Sequence, residues 1–206
     1  MAFPFLTVFL IFLLFVAFRL KKINKKQESY YEDFWEREAR ADTVPPVELC
    51  NLSYITIPLD KFPLNFSDDP EITVIEDELI ELSQKRLLNL NGKTNTDLKE
   101  EYGAPNLEKI SEYGDNYDRL SVLLVDYAKS LMENSMIEEA RTVLEFGIES
   151  GTDISNNYIL LADCYAALGL HTKLPALKEK AIRRHLMLEA SVTEHIDSLM
   201  LPAVLP

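Results

Sequence analysis

The chain has 206 residues, 47% of them hydrophobic, which suits one folded domain once an apolar N-terminal segment is set aside and excludes an unfolded polar chain. Five positive charges sit together in residues 19–26, and the other 16 Lys and Arg face 34 Asp and Glu, a net of −18 that argues against nucleic acid as a partner. The two cysteines, Cys50 and Cys164, lie in no CxxC or Cys/His cluster, so they form no disulfide framework.

Residues 1–18, MAFPFLTVFLIFLLFVAF, carry no charged side chain, and RLKKINKK follows directly. The positive charges come after the apolar run rather than before it, which is the reverse of a cleaved signal peptide. The expectation is a transmembrane anchor over residues 1–20, flanked by Arg19, Lys21, Lys22, Lys25 and Lys26. Positive charge marks the cytoplasmic side, so this anchor would be a single pass in the cell membrane, with its N-terminus outside and the body in the cytoplasm.

A basic and then aromatic juxtamembrane segment, 21–46, comes next. In it Tyr30, Tyr31, Phe34 and Trp35 share one helical face, which would either meet the membrane interface or pack on the body. Residues 47–66, VELCNLSYITIPLDKFPLNF, read as a short extended segment laid along helices, because Pro58 and Pro63 break the strand-like YITI. From there to 206 the pattern is helical. Asp69-Pro70 opens a helix with the stripe Ile72, Ile75, Leu79 and Leu82. Asp97-x-x-Glu100 opens a short one ending at Gly103. Asn106 caps another that stops at Gly114, and Asp115 or Asn116 starts a longer one. Ser135-x-x-Glu138 and Asp153 begin two more, which stop at Gly151 and Gly169. Thr172 with Pro175 begins another, and Ser191-x-x-Glu194 suggests a re-start. The fold expected is all-α, a series of antiparallel helix pairs joined by short loops.

A shift of 34 residues lays Leu124 on Tyr158, Tyr127 on Leu161, Ala128 on Ala162, Leu131 on Tyr165 and Gly147 on Ala181. On these residues the segment 121–184 resembles the tetratricopeptide repeat family, with units at 121–154 and 155–188. Leu174 and Lys178 depart from its pattern in the second unit, as does Thr152 where the first would end in proline. The resemblance implies an α-solenoid with a groove lined by Val122, Val125, Lys129 and Met132 of the first unit and Asn156, Ile159, Asp163 and Ala166 of the second. The layout of anchor, YITIPLDKFP, TNTDLKEEYGAPNL and repeat-like helices is also similar to a group of membrane-anchored proteins of Gram-positive anaerobic bacteria.

Catalytic chemistry finds no motif. His171, His185 and His195 have no ligand spacing, and no HExxH, phosphate loop or GxSxG occurs. The carboxylate runs Glu76-Asp77-Glu78, Glu100-Glu101 and Glu138-Glu139 read as solvated helix faces. The sequence therefore points to a non-enzymatic protein without cofactor, metal or evident small-molecule substrate: a membrane-tethered helical-repeat adaptor that holds a protein or peptide partner. The alternative is an accessory subunit that contacts a membrane complex through its transmembrane helix. The tail, 196–206, would cap the last repeat or serve as a docking site.

Overall fold

The computed structural model describes residues 4–200, with side chains described from residue 8 onward apart from 23–29. Among the described residues the fold is all-helical: eight α-helices, three short 3-10 turns and no strand. The chain divides into two compact units, Met1–Leu49 with Lys93–Leu107 and Cys50–Gly92 with Glu108–Pro206.

In the first unit α1 (Pro4–Ala41) is a single helix of 38 residues, running from the apolar stretch through the basic and aromatic stretches without a break. Arg19, Lys21 and Lys22 follow the apolar stretch directly on the same helix. Among the described residues no helix is long and apolar enough to cross a membrane. This corrects the single-pass anchor, the topology built on it and the reading of Arg19, Lys21 and Lys22 as its flank. The tether at the bilayer and the transmembrane contact fall with it. The side chains of Lys25 and Lys26 lie outside those described.

α3 is Asn95–Tyr102, numbered in chain order after α2 (Pro70–Ser83) of the second unit. Its capping box starts at Thr94 rather than Asp97. The Asp97 N–H donates to Thr94 Oγ1 (3.2 Å), and the Thr94 N–H donates back to Asp97 Oδ2 (2.7 Å). α3 packs on α1 through charge. Arg37 donates to Asp97 and Glu100, each at 2.6 Å, while Lys99 bridges Glu38 and Asp42. Thr94 first, and then Arg37, hold the Asp97 carboxyl well below the usual range. The aromatic residues of α1 do not pack on this unit: Tyr31, Phe34 and Trp35 are 58%, 50% and 64% exposed.

In the second unit the segment before α2 is extended, as expected. Ile57 and Phe62 are buried, and the Ile55 N–H donates to the Leu87 carbonyl at 2.9 Å. Asp69 caps α2 by accepting from the Glu71 N–H at 2.9 Å, and Pro70 opens the helix. Ile72, Leu79 and Leu82 are buried and Ile75 half-buried. Glu76 lies on that same apolar stripe and is buried, which corrects its reading as part of a solvated face.

α4 (Leu107–Glu133) is one helix of 27 residues and continues through Gly114, where a stop was expected. A Cβ at Gly114 would lie 2.8 Å from Leu90 Cδ1, so the glycine makes room for a neighbour rather than ending the helix. α5 (Ile137–Ser150), α6 (Ser155–Ala167), α7 (Leu174–Arg184) and α8 (Glu189–Met200) follow. Gly151, at φ 84°, ends α5 as predicted. Ser135 and Asp153 do not cap: the N-cap positions are Met136 and Ile154, with no side-chain hydrogen bond. α8 runs through Ser191 without the expected re-start. α5 packs on α6, α6 on α7 and α8, and α7 on α8. Leu124, Tyr127, Leu131, Leu144, Leu161, Ala162 and Ile196 belong to one buried core, where each fully buried leucine contributes about 2 kcal/mol. Of the tail, Ile196 is buried and Leu199 and Met200 pack against this core; Leu201, Val204 and Leu205 lie outside the described residues. Cys164 is buried, Cys50 is exposed, and the two are not joined. Burial pushes the Cys164 thiol up to about 11.

Candidate functional site

The groove positions expected from the sequence fall on α4 and α6, and their surroundings differ. Val122 is 42% exposed and Lys129 is exposed, the latter paired with Asp126 at 3.0 Å. Val125 is buried and presents no surface, a correction to its groove role. Met132 and Ile159 are half-buried and pack against the core with their inner faces. Asn156 is exposed on the first turn of α6. Asp163 and Ala166, further along α6, are half-buried.

α8 runs alongside α6 at this surface. His195 Nε2 lies 2.7 Å from Asp163 Oδ1, and Val192 and Ile196 are buried on either side of that contact. Lys178 of α7 reaches Asp197 of α8 at 2.6 Å. Among the described residues Asp163 is thus the one predicted groove position with a side-chain hydrogen bond to another element, and its partner was not among the residues singled out for the groove. Among the described residues no hydrogen bond links the α4 set to the α6 set.

On the side formed by α5 and α7 lies a cleft of about 400 Å³, lined by Glu145, Leu161, Tyr165, Lys173, Leu177 and Lys180. Glu145 accepts from Arg141 (2.7 Å), Lys173 (2.8 Å) and the Tyr165 hydroxyl (2.9 Å). Burial raises its carboxyl, but Lys173, Tyr165 and Arg141 together outweigh burial, and the net direction is down. Burial, and then Glu145, push the Tyr165 hydroxyl up. A carboxylate that already accepts from three donors is a structural tie rather than a poised acid or base. Sequence reasoning could find the Arg141–Glu145 pair from its i,i+4 spacing. It could not find Lys173, which is 28 residues away.

A wider open depression of about 720 Å³ is lined by Asn91, Gly92, Asp153, Ile154, Arg183, Arg184, His185 and Met187. Two of its cations are engaged: Arg184 donates to the Gly151 carbonyl at the end of α5, and Arg183 pairs with Glu179 at 3.0 Å. Among the described residues no group of three His, Cys, Asp or Glu side chains is placed to hold a metal ion.

The ion pairs of this unit set its acid limit. Glu78, to which Arg119 donates, and Glu145 both have carboxyls below their ordinary 4.5. Such groups stabilise the fold above their unfolded value and lose that contribution as pH falls through the folded one. Asp118, raised by burial and by Asp153 and Asp115, acts in the opposite sense. The urea midpoint is therefore expected to stay level from about pH 7 to about 5 and to fall below about pH 4.5. Glu145→Gln should flatten part of that fall, measured by urea melts across the series. No family model, curated protein or solved structure matches the chain.

Proposed function

We propose that the second unit is a protein-binding platform of tetratricopeptide-like helices that takes an extended peptide segment of a partner along the surface of α4, α6 and α8. The observation that carries this reading is the packing of α8 on α6, while α5 and α7 also pack on α6 and line a common cleft. The 34-residue shift that relates α4 to α6 continues into α8. It lays Val192 on Tyr158, His195 on Leu161 and Ile196 on Ala162, and both apolar members of that set in α8 are fully buried. α8 would then be the first helix of a third unit, and the Asp163–His195 pair a polar link along the groove wall rather than a plug in it. Stacked units of this kind present extended surfaces for peptides. Val122, Lys129 and Asn156 supply exposed apolar, cationic and amide groups there.

Panning random peptides displayed on phage against the full chain tests the reading. Enriched peptides should bind the parent chain and lose at least tenfold in affinity for Asn156→Arg and for Val122→Asp, a loss of about 1.4 kcal/mol each. Far-UV circular dichroism should stay unchanged, since both sites are exposed. Peptides that bind both variants as well as the parent would place recognition elsewhere.

A further inference from the structure

We infer that the aromatic face of α1 at residues 30–35 is a docking site for a cationic peptide segment of a partner, which lays arginine side chains on the rings between two flanking carboxylates. The site belongs to the first unit and does not depend on the peptide platform of the second.

Tyr30, Tyr31, Phe34 and Trp35 fill an arc of about 140° on α1, at about 100° per residue. All four are exposed by half or more, and no polar residue of 30–35 stands inside the arc. At about 150–250 Å² per aromatic side chain, they leave roughly 450 Å² open, the size of patch that marks an interaction surface. Phe34 and Trp35 already meet edge to face at 5.3 Å, so these rings are set before a partner arrives. One turn further on, the same side of α1 is covered: Glu38 accepts from Thr96 and Lys99 of α3. The face therefore ends where α3 begins.

Charge chooses the occupant. Glu32 stands about 60° beyond Trp35 on one flank, and Asp33 about 60° beyond Tyr30 on the other. Glu36 lies between these two on the back of the helix. Among the described residues none of the three carboxylates has an ion-pair partner. They repel an anionic lipid surface and nucleic acid, and a second copy of this face would bring carboxylate to carboxylate. The basic run 19–26 lies on the same unbroken helix and cannot turn back onto the face. A guanidinium answers both features: aromatic ring faces attract it, and a carboxylate pairs with it. α1 itself carries such a contact, with Arg19 over the Phe15 ring at 5.5 Å from its centroid. Tyr31 and Trp35, one turn apart, stand about 6 Å apart along the helix, and alternate side chains of an extended peptide about 6.7 Å. An Arg-x-Arg segment thus sets one guanidinium over each ring.

Trp35 is the only tryptophan of the chain, so tryptophan fluorescence reports this face alone. Titrating the full chain with an octapeptide of alternating Arg and Ser should shift the Trp35 emission saturably. The octapeptide of alternating Lys and Ser should bind at least threefold more weakly, because lysine has no planar group to stack. Tyr31→Leu with Phe34→Leu keeps every charge but removes two rings, and should raise the Kd about tenfold. Glu32→Gln with Asp33→Asn should do the same by removing the flanking charges. Val122→Asp, in the second unit, should leave this binding unchanged, which separates it from the platform. Binding unmoved by loss of the rings would reduce to the general acidity of the chain and overturn the proposal. A lysine peptide as tight as the arginine one, or an emission that does not change, would overturn it too. A parent that sediments as a dimer and becomes monomeric in the Tyr31→Leu, Phe34→Leu variant would give the face to a second copy, and would equally overturn it.

Discussion

Glu76→Ala is expected to lower the unfolding free energy of the second unit by about 3 kcal/mol, read as a fall in the urea midpoint at unchanged slope. Glu76 is 3% exposed, and its two oxygens serve different parts of the chain. Oε1 accepts from the Tyr127 hydroxyl at 3.0 Å, and Oε2 accepts from the Asn65 N–H at 2.8 Å. The Pro63 carbonyl, 3.1 Å from the same hydroxyl, is the alternative acceptor for its single proton, and the Tyr127 ring packs against Phe62 and Phe66. Glu76 therefore pins the extended segment that precedes α2 at Asn65, whose backbone is held at φ 59°. Alanine leaves the Asn65 N–H without its acceptor and opens a cavity, while Tyr127 keeps Pro63. Burial first, and then Glu76, push the Tyr127 hydroxyl up, so it remains a donor throughout the usual range. Tyr127→Phe should cost about 1 kcal/mol, and the double variant should show coupling between the two sites. A loss below about 0.5 kcal/mol for Glu76→Ala would show that the carboxylate does not pin the segment.

The second large effect is expected at the contact between α5 and α6. A Cβ on Gly147 would stand 2.3 Å from Asn157 Oδ1. Asn157 is fully buried and its Nδ2 donates to the Leu144 carbonyl at 3.0 Å, so it cannot turn away without losing that bond. Gly147→Val should cost about 3 kcal/mol through overpacking. Gly147→Ala should cost less, because alanine returns up to about 1 kcal/mol of helix propensity. Combining Gly147→Ala with Asn157→Ala should recover part of the loss, since the obstructing amide is gone; thermal melts of the four chains check this. Strictly additive losses would mean that the small residue is not what lets α5 and α6 approach.

Gly147 was legible in the sequence because the 34-residue shift asks for a small residue there. The helix stops at Gly151 and Gly169 and the start at Asp69-Pro70 were legible because each is set by local backbone chemistry. Gly114 was not, since its reason is Leu90, a neighbour no local rule supplies. Glu76 followed a rule that charged residues face water, and Tyr127, 51 residues away, overrides it. Thr94 was missed as a cap because Asp97 satisfies the same pattern from the other end of the box. The apolar start of α1 suggested a membrane span with the basic run as its flank, but among the described residues no helix is long and apolar enough to cross a membrane. Of the positions expected to line a groove, Asn156, Lys129 and Val122 are exposed. Val125 does not, and the His195 partner of Asp163 depends on the α6–α8 contact, which spacing alone does not give.

The most direct measurement is amide hydrogen exchange of the full chain with and without a peptide selected by panning. Binding along the proposed surface should slow exchange in the stretches 122–132, 156–166 and 192–199 and leave the α5–α7 side, around Glu149 and Lys180, unchanged. Slowing confined to the α5–α7 side, or to α1, would contradict a peptide groove on α4, α6 and α8.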